Sequence, residues 1–211
     1  MSDTSGIGKL RTAMLLYLIG SILGIVGYIY GVSQALGGGA VPVTSNFAAL
    51  IPYLAIFIIG LVLAILAVFY MRSGFSILAR SNSNYKLGAT GALLDLIGII
   101  LVVLAVIVIF VSLLSLSSAS PSSGLSAVGV GIGGSLAALA LFGIGGLLAF
   151  VGTILLVVGF YRIGSDSNSG IVKAGAILYL LIPFIGVILL YIGLKDAQRG
   201  TPSSGQGAAG Q

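Results

Sequence analysis

The sequence predicts an all-α integral membrane protein, a bundle of five transmembrane helices, and two observations carry that prediction. Of its 211 residues 58% are hydrophobic and 6% charged, with a mean hydropathy of +1.24, whereas roughly a quarter of the residues of a soluble domain are charged. The apolar residues also gather into five runs, each long enough to cross about 30 Å of hydrocarbon as a helix. None of the runs shows the alternation of a barrel strand.

In chain order the runs are Thr12–Gly31, Leu50–Met71, Gly88–Leu116, Ser135–Tyr161 and Ala174–Leu194. The first follows a short basic tail, and its apolar core exceeds the roughly 7–15 residues of a signal-peptide core, so it reads as a retained span. The second opens with Pro52 in its first turn, where the missing amide hydrogen costs nothing. The third and fourth are longer than a span requires and should tilt or project beyond the bilayer. The fifth carries Pro183 near its middle, in "LLIPFIG". A proline there removes the partner of the Tyr179 carbonyl and bends the helix, with Gly186 easing the bend. Residues 1–195 thus form one transmembrane domain. Residues 196–211, "DAQRGTPSSGQGAAGQ", form a disordered polar tail with nothing to bury.

Charge sets the expected orientation. Lys9 and Arg11 precede the first run, Arg72, Arg80 and Lys86 lie in the second connection, and Arg162 and Lys173 lie in the fourth. The first and third connections hold no basic residue. The positive-inside rule then puts the N-terminus and the second and fourth connections in the cytoplasm. Five spans would leave the C-terminus outside, although Lys195 and Arg199 oppose that placement. Tyr28, Tyr30, Tyr53, Tyr70, Tyr85, Tyr161 and Tyr191 lie near the expected span ends, where a ring sits in the interface and its hydroxyl meets water.

The reactive repertoire is small. The chain has no cysteine, histidine or glutamate and four aspartates, which excludes thiolate and imidazole metal sites, disulfides and histidine or cysteine catalysis. No catalytic residue, cofactor or metal ligand is expected, and the protein reads as no enzyme. The formal charge of +5 is scattered and forms no basic run of the kind that follows a phosphate backbone, so nucleic acid is no expected partner. Gly129, Gly131 and Gly134 match a G-x-G-x-x-G pattern. They have no preceding strand and no acid about 20 residues on, and read as flexible backbone entering the fourth run.

Glycine spacing suggests helix packing. Gly20, Gly24, Gly27 and Gly31 recur at intervals of four, three and four, a smooth face against which another helix can pack closely. The partner is another span of the chain or a second copy. Gly145, Gly146 and Gly152 give the fourth run similar relief.

The second connection reads "GFSILARSNSNYKLGA" and the fourth "GFYRIGSDSNSGIVKAGA". Gly-Phe, a Ser-Asn-Ser element and Lys-x-Gly-Ala recur in order, which points to a duplicated two-span hairpin. Setting Arg11 on Lys173 also brings Tyr17 onto Tyr179 and Gly24 onto Gly186. Five spans then make a half-unit plus two repeated hairpins, related by an axis along the membrane normal.

Three stretches, "GIGKLRTAMLLYLIGSIL", "GFSILA" and "GFYRIGS…GAILYLLIPFIGVILLYIGL", give the chain its most distinctive character. In them it resembles an uncharacterised family of multi-pass archaeal membrane proteins, a domain of unknown function from Sulfolobus-like thermoacidophiles. The resemblance implies a membrane location and an archaeal source, and transfers no functional residue. The two connections expected outside carry no titratable side chain, so external acid changes no charge there.

One residue stands against its surroundings: Asp95, in "GALLDLIGII". It lies nine residues beyond Lys86, about 13 Å along a helix, while Tyr17 and Tyr179 each lie six residues beyond a basic residue, about 9 Å. All three therefore share a depth within roughly one turn. An unpartnered carboxylate in hydrocarbon is costly and a hydrogen-bonded neutral acid far less so. Asp95 is therefore expected to face the bundle interior and bond Tyr17 or Tyr179 as a structural clasp. The expected function is that of a structural or interacting component of an archaeal cell membrane, its partners being lipids, other membrane proteins or a second copy. The alternative is a small transporter or channel with Asp95 as a proton or cation site.

Overall fold

Long uninterrupted apolar stretches leave a chain no economical way to satisfy its backbone except as helix, and every described element is helical. The computed structural model describes residues 2–36, 47–117 and 124–200, with side-chain surroundings for residues 4–27, 29, 55–56, 58–112 and 133–198. The helices are α1 (Ser2–Leu36), α2 (Phe47–Ser81), α3 (Lys86–Ser117), α4 (Gly124–Asp166), α5 (Gly170–Leu181) and α6 (Pro183–Gly200), with a 3₁₀ turn at Ser83–Tyr85 between α2 and α3. Among the described residues, four helical stretches are long and apolar enough to cross a membrane: Thr4–Gly27, Ile58–Ser81, Ser83–Ser112 and Gly133–Asp166. The glycine run at Gly129–Gly134, expected as flexible backbone, belongs to α4.

The fifth run is not one continuous helix. It breaks at Ile182 and returns as an antiparallel hairpin of α5 and α6. A Cβ built on Gly193 would stand 3.0 Å from the Val172 nitrogen, one on Gly175 would stand 2.9 Å from the Leu190 nitrogen, and one on Gly186 would strike the Tyr179 backbone. In a continuous helix Val172 and Gly193 would be about 30 Å apart. Proline is well suited to the break. Ile182 leaves the helical region (φ −137°, ψ 82°), which proline disfavours for the residue before it. Pro183 then opens α6 at the position where its missing N–H is no loss. The proline expected to kink one helix therefore separates two, and Gly186 admits the close approach of α6 to α5 instead of easing a bend. Where five spans were expected, the described residues hold four stretches long and apolar enough to cross, and the fifth run forms a helical hairpin. At 12 residues, α5 is about 18 Å long, too short to span.

This reversal moves the end of α6 beside the start of α1. The Arg11 guanidinium donates to the Tyr191 hydroxyl at 3.1 Å, and Gln198 lies over Gly8. The start of α1 and the end of α6, expected on opposite faces of the membrane, therefore lie side by side in the bundle, and the positions of the lysines and arginines along the described helices fall toward one end. Polar contacts tie that end together. Lys9 donates to Ser73 at 2.8 Å, Arg162 donates to the Asn84 carbonyl at 2.7 Å, and the Tyr85 hydroxyl donates to Asp166. The turn after α4 closes as a Schellman motif, with Ser169 N–H bonding the Gly164 carbonyl at 2.8 Å and Asn168 N–H bonding that of Ser165 at 3.2 Å. Asn168 takes the left-handed conformation (φ 49°) that the motif requires and that asparagine tolerates. Ser169 then caps α5 by accepting from the Val172 N–H.

The core lies toward the same end. Leu10 and Met14 of α1, Phe75 of α2, Phe160 of α4, Val172 of α5 and Leu194 of α6 are wholly buried. Beyond Met14 on α1 and before Ala67 on α2, no described side chain is buried. Leu15, Ile19, Ile22, Val26, Ile58 and Val62 are exposed there. Such a surface is unfavourable in water and suited to lipid.

Pairs α1–α2 and α3–α4 run antiparallel and pack differently. Gly20 and Gly27 face the side chains of Leu63 and Ile56 on α2. Gly24, expected on the same packing face, points outward with nothing within 4 Å, so the face is narrower than the spacing suggested. The surroundings of Gly31 and the side chains of Tyr28, Tyr30 and Tyr53 lie outside the described residues, as do residues 201–211 of the expected tail and residues 37–46 and 118–123 of the connections expected outside. The closest packing is between α3 and α4, along buried small residues seven apart: Gly91, Gly98, Ala105 and Ser112 on α3, with Ala138, Gly145, Gly152 and Gly159 on α4. A Cβ on Gly98 would stand 2.6 Å from the Ala149 nitrogen, and one on Gly145 would stand 3.0 Å from the Gly98 carbonyl oxygen. Apolar side chains gain little from leaving lipid for one another, so contact this close is obtained by removing side chains from the seam.

Candidate functional site

Asp95 sits between Gly91 and Gly98 on that seam. A Cβ on Gly152 would stand 2.6 Å from its backbone nitrogen and 3.1 Å from its Cα, so at Asp95 the α3 and α4 backbones meet almost directly. The residue is buried, at 8% exposure. It is the one buried acid among the described residues, since Asp166 and Asp196 are exposed.

The two tyrosines of equal expected depth do meet. Tyr17 of α1 and Tyr179 of α5 pack edge to face, ring centroids 6.0 Å apart and planes at 66°. Tyr179 also lies edge-on to Phe160 at 6.4 Å, and Phe160 to Phe75 at 5.0 Å. A line of four rings therefore ties α2, α4, α5 and α1 together, each contact in the offset geometry aromatic pairs prefer. Both Gly-Phe elements noted in the sequence feed this line. Phe75 fits between Gly88 and Gly159, either of which would collide with its ring if it carried a Cβ. The importance of Phe75 and Phe160 was not read from the sequence, though the recurrence of Gly-Phe was its signal.

Asp95 lies within electrostatic reach of both tyrosines. Among the described residues neither hydroxyl makes a hydrogen bond to its carboxyl. The three residues thus converge from α1, α3 and α5 without the direct bond expected of a clasp. Hydroxyls elsewhere along the spans are used locally: Ser21, Thr90, Ser112 and Thr153 each donate to the carbonyl four residues back in their own helix, at 2.8–3.0 Å. That is the ordinary behaviour of serine and threonine in an apolar helix. Among the described residues no three side chains of the metal-ligating kind are grouped.

With helices, seam and ring line all drawn from nearly the full length of the chain, the extent of the family match decides the identity. The family model described as "Protein of unknown function (DUF973)" matches residues 3–209. The chain belongs to the DUF973 family. No curated protein and no solved structure matches it. Membership brings no assigned activity to Asp95 or to the tyrosines.

Proposed function

We propose that this DUF973 protein is a non-enzymatic multi-pass membrane protein, a structural or interacting component of an archaeal cell membrane. Its arrangement in that membrane is four crossing helices and a re-entrant α5–α6 hairpin. The basic end, holding the start of α1 and the end of α6, faces the cytoplasm under the positive-inside rule. The hairpin tip lies nine residues beyond Lys173, about 13 Å, close to the middle of a 30 Å core. Leu180, Leu181, Ile182, Phe184 and Ile185 at the tip are all exposed, as lipid contact allows. The archaeal source rests on the sequence resemblance. The recurrent turns at Ser81–Lys86 and Ser165–Lys173, both at the basic end, are read as a duplicated element whose second copy feeds a hairpin.

One observation carries the non-transport reading: the span hydroxyls bond their own helices, and Asp95 is wedged against the α4 backbone at Gly152. A transport path needs polar groups turned toward a shared cavity. The alternative, a proton or cation pathway through Asp95, is favoured by a different feature, the convergence of Asp95, Tyr17 and Tyr179 near a hairpin tip inside the membrane. Purified protein in liposomes carrying a pH-sensitive dye and a potassium diffusion potential separates the two. Flux equal to that of protein-free liposomes, for wild type and Asp95→Asn alike, is expected. Wild-type flux abolished in Asp95→Asn would establish the alternative.

A further inference from the structure

Arg11 stands apart from the other basic residues in how it is held. Its guanidinium donates to the Tyr191 hydroxyl at 3.1 Å and lies 4.9 Å from the centroid of the Tyr191 ring, fixed by a hydrogen bond and a cation–π contact on one partner. It lines a cavity of about 310 Å³ between α1 and α6, with Gly8, Thr12, Leu15, Tyr191 and Gln198. Among the described residues the lining contains no acid, and its polar side chains are a cation, two hydroxyls and an amide. Of the five guanidinium N–H groups, Tyr191 accepts one. Gly8 creates the space: a Cβ there would meet only the Gln198 amide, at 3.7 Å.

The position of this cavity in the fold decides the kind of ligand. Deeper along the same face of α1, Leu15, Ile19 and Ile22 follow Arg11 at helical spacing, all of them exposed apolar side chains. The site is thus a fixed cation above an apolar stripe, at the level where the bundle meets the headgroups in the proposed arrangement. A planar fork of donors matches a phosphate bidentately, and basic recesses between membrane helices on the cytoplasmic side suit anionic headgroups.

We infer that the Arg11 cavity binds the phosphate of an anionic lipid headgroup, with one hydrocarbon chain of the lipid lying along Leu15, Ile19 and Ile22. This rests on the membrane reading above. Failure of that reading is separately visible, as protein recovered in the soluble fraction after alkaline carbonate washing.

Native mass spectrometry of the purified chain titrated with phosphatidylglycerol tests the site. A saturable one-to-one adduct is expected, weakened about tenfold by Arg11→Gln, the loss of a charge-assisted contact of about 1.4 kcal/mol. Gly8→Leu should weaken it similarly by filling the cavity with the charge retained. Arg72→Gln, which removes an exposed charge at the same end, should leave binding within about twofold. Inorganic phosphate in millimolar excess should not displace the lipid. Helix content and elution volume matching wild type in Gly8→Leu keep the test interpretable if Arg11→Gln does not fold. Wild-type affinity in both site variants, equal loss in Arg72→Gln, or displacement by inorganic phosphate would each overturn the assignment.

Discussion

Substituting Gly152 by alanine tests the α3–α4 seam in isolation. The new Cβ would stand 2.6 Å from the Asp95 nitrogen, 2.7 Å from the Gly91 carbonyl oxygen and 3.1 Å from the Asp95 Cα. All three are backbone atoms that cannot rotate away. Restoring ordinary contact at 3.4 Å needs the helices to part locally by about 0.8 Å, and overpacking of this kind costs about 1–3 kcal/mol. Alanine also gains helix propensity over glycine, by about 0.5–1 kcal/mol, which would mask part of the effect. Gly24→Ala supplies the reference, because it has the same propensity gain and nothing within 4 Å. The difference between the two variants is then about 1–3 kcal/mol, or about 2–12 °C in melting midpoint for a chain of this size. Circular dichroism melts in one detergent would read it. A Gly152→Ala protein as stable as Gly24→Ala would refute the close approach at Asp95.

Other consequences follow from the same packing. Phe160→Ala removes the ring that links Phe75 to Tyr179 and should destabilise by about 3–5 kcal/mol, the largest melting loss of any single ring in the line. Tyr85→Phe deletes the hydroxyl bound to Asp166 and should cost about 1 kcal/mol, a fall of about 2–4 °C in the same melts. Pro183→Ala should leave the α5–α6 hairpin intact, because proline occupies the first position of α6. Gly186→Leu should open it by forcing a side chain into the Tyr179 backbone, and protease sensitivity within residues 170–200 distinguishes the two.

Particular residues explain what the sequence disclosed. The equal depth of Tyr17 and Tyr179 was legible because each follows a basic residue by six positions, and charge marks depth in a membrane helix. The burial of Asp95 was legible from its apolar neighbours, but its lack of a tyrosine bond was not, since a turn of depth says nothing about rotation of the helix. The α5–α6 hairpin was hidden because 21 apolar residues around one proline read as a span. The difference between a kinked helix and a reversed one lies in tertiary contacts, here Gly175, Gly186 and Gly193 against the facing backbone. Lys195 and Arg199, two basic residues that oppose the C-terminal placement of a five-span topology, were the available hint. The α3–α4 seam was not read from the sequence, although small residues seven apart on both helices were its signal. The outward turn of Gly24 was not legible, because a small residue next to a packing face looks the same in sequence as one within it.

In the proposed arrangement α5 and α6 form a hairpin that enters and leaves the membrane on one face. Because the chain lacks cysteine, single cysteines at Asn84, Asp196 and Ser122 can be labelled with a membrane-impermeant thiol reagent in intact cells and in inverted vesicles. Asp196→Cys is expected to label with Asn84→Cys, in inverted vesicles only, while Ser122→Cys labels in intact cells. Labelling of Asp196→Cys in intact cells together with Ser122→Cys would mean that the fifth run crosses the membrane, and would contradict the hairpin.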